Sequence, residues 1–294
     1  MLEDYYIKIA DLTLCLSHSN ASQINDLIVG IDTFSAHCID NVDINIALNA
    51  EMDLTEIRSA KRICDFTVDN VRHIFLRRGE QYYFESYDTE TKISYYLKYE
   101  WGGNSVEIST CDNSQHFRFL IWTAFSLAAL QYNVVPIHSS SIEHQEEAVL
   151  FLGESGTGKS TQSKLWIEHI HDSMLLNDDS PILRIVDNQL RVYGSPWSGK
   201  TPCYRNADYQ AKAIVRIKRA PENTINELST LESIAAIYPS FPPMFAHDER
   251  LADRLLNFVS QVIERTPIYT LRCKPDAEAA IITHQEIYEN RAIR

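Results

Sequence analysis

A glycine-rich run in the middle of the chain has the residue types and spacing that bind the phosphates of a nucleotide. It follows the Walker A pattern G-x-x-x-x-G-K-[ST] and consists of Gly153-Glu154-Ser155-Gly156-Thr157-Gly158-Lys159-Ser160, with Thr161 next. Glycines let the chain curl so that successive backbone N–H groups face phosphate oxygens, and a helix beginning near Gly158 adds its unpaired amides. In such a loop Lys159 reaches the β and γ phosphates, and Ser160 supplies an oxygen for Mg²⁺. The sequence therefore predicts that residues 153–161 bind ATP and Mg²⁺.

Two adjacent carboxylates, Asp178 and Asp179, follow the apolar run Met174–Leu176. At the end of a strand, one such carboxylate can orient Mg²⁺ while the other accepts the proton of an incoming hydroxyl. The alternative is a solvated turn, because Asn-Asp-Asp-Ser-Pro is also ordinary loop composition. The preceding Walker A run favours the functional interpretation.

Two further places could serve the same chemistry. His138 lies ahead of the strand that leads into the glycine run, and it is either a functional or a structural histidine. The segment Gly194–Lys200 is either a loop that closes over nucleotide or acceptor, or a packed surface turn. In the first case Lys200 or Arg205 would meet the negative charge of the transferred phosphoryl group. No H-E-x-x-H spacing occurs, so no zinc site is predicted.

The elements that must position these residues alternate between strand and helix from about residue 134 onward. An apolar strand, Ala148–Leu152, runs into the glycine run, and a helix follows to about His171. This alternation predicts an α/β fold with a mixed sheet. The remaining predicted elements are the hairpin Ile182–Val186 and Gln189–Tyr193, the strands Ala213–Ile217 and Ile268–Arg272, and helices at Leu231–Ile237, at Arg250–Glu264 and from about Pro275.

Residues 1–112 are predicted to be rich in β-structure. Aromatic and β-branched runs separated by turns predict an antiparallel meander, with strands at His73–Arg78, Gln81–Tyr87, Ile93–Tyr99 and Ser105–Thr110. A sheet that binds nucleic acid is one interpretation of its tyrosines, which are Tyr82, Tyr83, Tyr95 and Tyr96. Half-buried strands are the favoured interpretation, because the chain is acidic. A buried helix, His116–Gln131, follows the meander.

Composition limits the class of protein. The chain has 294 residues, of which 45% are hydrophobic and 23% charged, which is typical of globular proteins. A net charge of −13 argues against partners such as nucleic acid or an anionic membrane, although one local pocket could still bind a polyphosphate. The longest apolar run, Phe119–Leu130, is too short to cross a bilayer. The six cysteines form no C-x-x-C pair and the first residues are acidic, which predicts a cytoplasmic protein with free thiols.

The Walker A run, the Asp178-Asp179 pair behind it and His138 ahead of it together resemble the catalytic core of HPr serine kinase, which ATP-dependent phosphoenolpyruvate carboxykinase shares. The resemblance covers about residues 134–275. The chain is similar to HPr-kinase-related proteins, which place a variable β-rich region before this core and a Gly-x-Pro-Trp/Phe loop after it. The resemblance implies an α/β P-loop kinase domain over residues 113–294, and a β-rich antiparallel region over residues 1–112 that binds an acceptor or partner.

The resemblance also implies an activity and a set of roles. The activity is transfer of the γ-phosphoryl group of ATP to a serine-like hydroxyl of a peptide, protein or small molecule. Asp178 would be the general base, Ser160 with Asp179 would hold Mg²⁺, and His138 would lie near the acceptor and help to hold a catalytic aspartate. The chain has no counterpart of the segment that supports phosphorolysis, and its N-terminal region differs from that of HPr kinase, so HPr is not implied as the acceptor.

Two other functions stay open at this point. One is a nucleotide-sensing module without catalysis, which the acidic pair and the histidine disfavour because a sensor needs no base. The other is a P-loop ATPase, in which Arg205 or Arg216 would act on the phosphates. A carboxykinase is disfavoured because no oxaloacetate site is evident. The oligomeric state, including a homo-oligomer, also stays open.

Overall fold

The computed structural model describes residues 3–37, 41–199 and 201–290. The chain divides into two units by its internal contacts. Unit 1 consists of Met1–Tyr132 and Met244–Ala252, and unit 2 consists of Asn133–Pro243 and Asp253–Arg294.

Unit 1 is built on an eight-stranded sheet with the order β1-β2-β3-β8-β7-β6-β5-β4. Its strands are β1 (Glu3–Ile9), β2 (Leu12–Ser19), β3 (Ile44–Ala47), β4 (Lys61–Val68), β5 (Val71–Arg78), β6 (Gln81–Asp88), β7 (Ser94–Glu100) and β8 (Ser105–Ile108). The run from β4 to β8 is antiparallel throughout, which confirms the predicted meander. Parallel pairing of β3 with both β2 and β8 was not predicted.

The tyrosines of the meander belong to its core. Tyr82 is 0% exposed, Tyr83 1% and Tyr95 8%, whereas Tyr96 is partly exposed. Buried rings cannot stack on nucleic-acid bases, so these three support the half-buried-strand interpretation.

The helices of unit 1 are α1 (Ala21–Leu27), α2 (Leu54–Ser59) and α3 (Ser114–Ala129). Helix α3 begins where the Asn113 side chain accepts hydrogen bonds from the backbone of Gln115 and His116, and residues such as Leu120 are fully buried. It packs on β3, β7 and β8. The sequence analysis placed residues 113–132 in the kinase domain, whereas these contacts place them in unit 1, because the apolar face of α3 covers that sheet.

Unit 2 contains a nine-stranded mixed sheet. Its strands are β9 (Val134–Pro136), β10 (Ser139–His144), β11 (Glu147–Leu152), β12 (Ser173–Asp179), β13 (Ile182–Val186), β14 (Gln189–Tyr193), β15 (Asp208–Arg219), β16 (Thr224–Glu227) and β17 (Ile268–Cys273). Strand β10 is antiparallel to both β11 and β12, and β15 is parallel to both β11 and β17. Strands β11, β12, β15 and β17 therefore end at one edge of the sheet, which we call the carboxyl edge. Ligands of α/β sheets bind at such edges.

The other helices are α4 (Lys159–His169), α5 (Thr230–Ile237), α6 (Glu249–Arg265) and α7 (Ala277–His284). Helix α4 packs on one face of the unit 2 sheet, where Trp166 lies in a buried cluster with Phe151, Val215 and Tyr269. Burial of this large side chain fixes α4 against the sheet, where the helix packs on β10, β11 and β12. Among the described residues, no helix has both the length and the apolar character that crossing a membrane requires.

Candidate active site

The glycine loop, Gly153–Gly158, joins β11 to α4, which is the strand–loop–helix context that the sequence predicted. Gly156 and Gly158 have φ angles of +77° and +121°, in the left-handed region that favours glycine. A Cβ at Gly153 would lie 2.7 Å from Thr157 Oγ1. All three glycines are therefore required by the curl of the loop.

The curl is held by hydrogen bonds at both ends. Thr157 donates from its backbone N–H (3.1 Å) and from its hydroxyl to the carbonyl oxygen of Glu154. The Arg219 guanidinium donates to the carbonyl oxygen of Gly156. The first hydrogen bond of α4 runs from the Gln162 N–H to the Gly158 carbonyl (2.9 Å), which leaves earlier amides of the helix for a ligand.

Lys159 lies over the glycine loop. Its Nζ donates to the Gly153 carbonyl oxygen (2.9 Å) and to His138 Nε2 (2.8 Å). Burial lowers the pKa of the Lys159 ammonium, while the charges of Asp179 and Asp178 oppose this shift. A partly buried ammonium held by neutral acceptors is a ready partner for anionic phosphate oxygens.

Asp178 and Asp179 are the last two residues of β12. Strand β10 pairs with β12, and this pairing places His138 next to the two carboxylates. Ser140 pairs with Asp178, and Ser139 pairs with both Asp179 and Leu152. His138 directly precedes β10, so it lies between the glycine loop and the acidic pair. The sequence analysis did not predict β10, because its three serines have little strand preference.

Each carboxylate has a different partner. Asp178 Oδ1 accepts a hydrogen bond from Ser160 Oγ (2.8 Å). Asp178 is only 5% exposed. Asp179 Oδ1 lies 3.2 Å from His138 Nδ1, and its side chain is 40% exposed. The roles implied by the resemblance placed Asp179, rather than Asp178, with Ser160.

Asn177 fixes the backbone of the acidic pair. Its Oδ1 accepts from the N–H groups of Asp179 (3.1 Å) and Ser180 (2.9 Å). Its Nδ2 donates to the hydroxyl (3.2 Å) and carbonyl (3.3 Å) oxygens of Ser195, and the residue is fully buried. The sequence analysis missed this role, since nothing in Asn-Asp-Asp distinguishes a buried asparagine from a turn residue.

The described part of the Gly194–Lys200 segment, Gly194–Gly199, packs against the acidic pair. Gly199 N–H donates to the Asp178 carbonyl (2.6 Å), and a Cβ at Gly199 would lie 2.5 Å from the same oxygen. Trp197 is 2% exposed. The close approach of the Asp178 carbonyl oxygen explains why position 199 is a glycine. The segment forms one wall of the site. Lys200 itself lies outside the described residues.

The two arginines considered from sequence lie in different places. Arg205 donates to the Leu175 carbonyl (3.0 Å) and to the Tyr209 hydroxyl (3.0 Å), partners that belong to β12 and β15. Arg216 pairs with Leu152 in the sheet register and donates to Ser240 Oγ (3.2 Å). The Ser240 carbonyl accepts from the N–H of His138 (2.7 Å). Arg216 therefore lies at the carboxyl edge, on the side of His138.

A cavity of about 410 Å³ opens on the other side of the glycine loop. It is lined by Gly156, Thr157, Gly158, Thr161, Gln162, Ile217, Arg219, Ala220, Cys273, Lys274 and Pro275.

The residues around Ser160 suit magnesium. The Ser160 hydroxyl and the Asp178 carboxylate are hard oxygen donors within hydrogen-bonding distance of each other. Mg²⁺ takes only one or two protein oxygens beside substrate phosphates and water. Among residues 3–37, 41–199 and 201–290, no group of three or more histidine, cysteine, aspartate or glutamate side chains forms a metal site by itself.

Comparison with known proteins gives a limited result. No protein-family model matches the sequence, and no curated protein matches it significantly. Among solved structures, the HPr(Ser) kinase/phosphatase from Coxiella burnetii matches with 13% sequence identity and a TM-score of 0.32. The match covers 54% of this chain and 97% of that one. This is a distant structural similarity only.

Proposed function

We propose that the protein is a Mg²⁺-dependent kinase that transfers the γ-phosphoryl group of ATP to a serine-like hydroxyl of a peptide, protein or small molecule. One observation carries the proposal. His138 bridges Lys159, the candidate phosphate ligand, and Asp179, an exposed carboxylate. A nucleotide-binding loop and a candidate base thus share one site.

Residues 153–161 would bind the triphosphate. The amides of the glycine loop and of the start of α4 would face the phosphate oxygens, and Lys159 would exchange its carbonyl acceptors for the β and γ phosphates. Catalysis would come mainly from positioning and from stabilisation of charge.

Ser160 and Asp178 would hold the magnesium ion. When bound, Mg²⁺ neutralises charge that develops on the phosphate oxygens. The burial of Asp178 beside Ser160 supports this assignment.

Asp179 would be the general base. It is the more exposed of the two carboxylates, so a hydroxyl can reach it from outside. The His138 Nδ1–H would hold one carboxylate oxygen and leave the other for the proton of the acceptor. This proposal exchanges the roles that the resemblance implied for Asp178 and Asp179, and Lys200 stays a candidate for acceptor binding.

A P-loop ATPase is the second candidate, because Arg216 supplies an arginine on the side of His138. ATP labelled in the γ position distinguishes the two functions. We expect Mg²⁺-dependent transfer of label to serine-containing peptides or to small hydroxyl compounds. Release of inorganic phosphate at the same rate with and without acceptors would instead support the ATPase. ATP binding without any turnover would support a nucleotide sensor.

A further inference from the structure

We infer that the facing imidazoles of His144 and His284 form a pH-sensitive latch, which ties the end of α7 to the end of β10 and opens when both rings are protonated. His144 is the last residue of β10, and His284 is the last residue of α7. Their Nε2 atoms lie 3.2 Å apart. Strand β10 begins beside the acidic pair, so its last residue lies at the opposite edge of the sheet from the candidate active site.

In the neutral pair, one proton lies between the two rings. Glu289 Oε1 lies 3.6 Å from His284 Nδ1, and a carboxylate only accepts, which favours a proton on this nitrogen. His284 Nε2 is then an acceptor, and the Nε2–H of His144 donates to it. The Ser173 hydroxyl, 3.3 Å from His144 Nδ1, can donate to the remaining nitrogen. Every ring nitrogen thus has a partner while both rings are neutral.

The contact accepts one positive charge but not two. After one added proton, a donor still faces an acceptor, because the neutral ring can carry its own proton on Nδ1. After a second proton, both Nε2 atoms carry hydrogen, and two donors of like charge would face each other at 3.2 Å. The rings then repel each other, and the end of α7 moves away from β10.

Burial strengthens this repulsion. His144 is 4% exposed, and the side chain of His284 is 19% exposed. Burial lowers the pKa of His144, and the charge of His284 acts in the same direction. The backbone of Asp172 and the charges of Glu143 and Asp172 oppose this shift without reversing it. The closed latch therefore binds fewer protons than an open one.

Other charged groups lie on the elements around the pair. Tyr288 stacks on the His284 ring with centroids 5.1 Å apart, and its hydroxyl donates to the His144 carbonyl oxygen (3.3 Å). Lys212 Nζ of β15 lies 4.9 Å from the centre of the Tyr288 ring and 3.0 Å from Glu147 Oε2 of β11. Histidine is the side chain whose charge changes near neutral pH, so the two imidazoles are the groups that respond.

Opening of the latch would act on α4. Helix α7 packs against α4. The ring of Trp166 on α4 is fully buried, and it lies 6.2 Å from the His144 ring and 5.7 Å from the His284 ring. Movement of His284 would uncover this side chain. Because α4 begins at Lys159, the latch would reach the helix that carries the candidate phosphate ligand. This last step alone rests on the proposed function.

Hydrogen–deuterium exchange of the full chain tests the latch, at about one pH unit above and one below 6.5, the ordinary pKa of histidine. EDTA is present, because two imidazoles can also bind a metal ion. We expect the protection of α7 amides, corrected for the intrinsic effect of pH, to fall about tenfold in acid, because opening takes up a proton. Amides of β11 should stay protected. Unchanged protection of α7, or an equal fall in β11, would overturn the latch.

Two substitutions at the partly exposed His284 should alter this response step by step. His284→Gln removes one charge, so the protection of α7 should depend less on pH than in wild type. His284→Glu offers His144 a carboxylate that favours the protonated imidazole, so the protection should rise rather than fall in acid. The control His169→Gln, at the last residue of α4, should behave as wild type. A wild-type response in His284→Glu would overturn the latch and leave the kinase proposal intact.

Discussion

His138 Nε2 lies 2.8 Å from Lys159 Nζ, and the opposite ring nitrogen, Nδ1, lies 3.2 Å from Asp179 Oδ1. An ammonium can only donate, so Nε2 accepts from Lys159 and the imidazole carries its proton on Nδ1. That proton is shared with Asp179. One neutral ring thereby couples the candidate phosphate ligand to the candidate base, and it holds the base in one orientation.

Lys159→Met should weaken ATP binding by about ten- to a hundredfold, because one or more charge-assisted hydrogen bonds to phosphate are lost. Isothermal titration calorimetry measures this directly. Lys164→Met is a matched control, since Lys164 lies exposed on the same helix. Equal affinities of Lys159→Met and wild type would contradict phosphate binding by the glycine loop.

Asp179→Asn and Asp178→Asn should separate the roles of the two carboxylates. We expect Asp179→Asn to reduce phosphoryl transfer by about 10²- to 10⁴-fold with ATP affinity retained, because the base is lost. Asp178→Asn should instead raise the Mg²⁺ concentration that half-saturates the reaction. Transfer rates and Mg²⁺ titrations of both variants check this. The reverse pattern would make Asp178 the base, as the resemblance implies.

Asn177→Leu should destabilise unit 2 by about 3 kcal/mol, because the buried partners of Asn177 lose their hydrogen bonds. Chemical denaturation measures the free energy of unfolding. Asn226→Leu, an exposed change on β16, should cost less than about 0.5 kcal/mol. Similar losses in both variants would mean that the buried network does not hold the acidic pair.

Unit 1 should lose stability in mild acid because of His73. Burial lowers the pKa of His73 to about 4 from 6.5, and the charge of His116 acts in the same direction. As the pH falls from 6.5 toward 4, the unfolded chain takes up a proton that the native protein does not. The free energy of unfolding should therefore fall over this window, by about 3 kcal/mol from this histidine.

Denaturation curves of His73→Phe across the same pH range test this effect. Phenylalanine can occupy the site because the His73 ring already stacks on Phe119 at 4.1 Å. The variant should show a flatter pH dependence than wild type, whereas His171→Gln, at a side chain 93% exposed, should not. An unchanged slope in His73→Phe would assign the acid sensitivity to other groups.

Several parts of this architecture were predictable because their causes are local. The apolar strand, the glycines and the following helix of residues 148–169 are neighbours in the chain, and their periodicity predicts strand–loop–helix directly. The meander is predictable for the same reason, since each of its strands pairs with the next one along the chain. The parallel pairing of β3 with β8 joins segments distant in sequence, and no local pattern encodes it.

By itself the sequence determined which side chains could bind phosphate, hold magnesium and accept a proton, because residue type and local spacing set that chemistry. Only the tertiary structure decided which partner each carboxylate has. The strand of serines that starts after His138 lies between β11 and β12, and its register pairs Ser140 with Asp178 and Ser139 with Asp179. With that register, Asp178 meets Ser160 of α4 and Asp179 meets His138. Sheet register depends on pairing between distant segments, and a shift of β12 by one residue would turn each carboxylate to the opposite face.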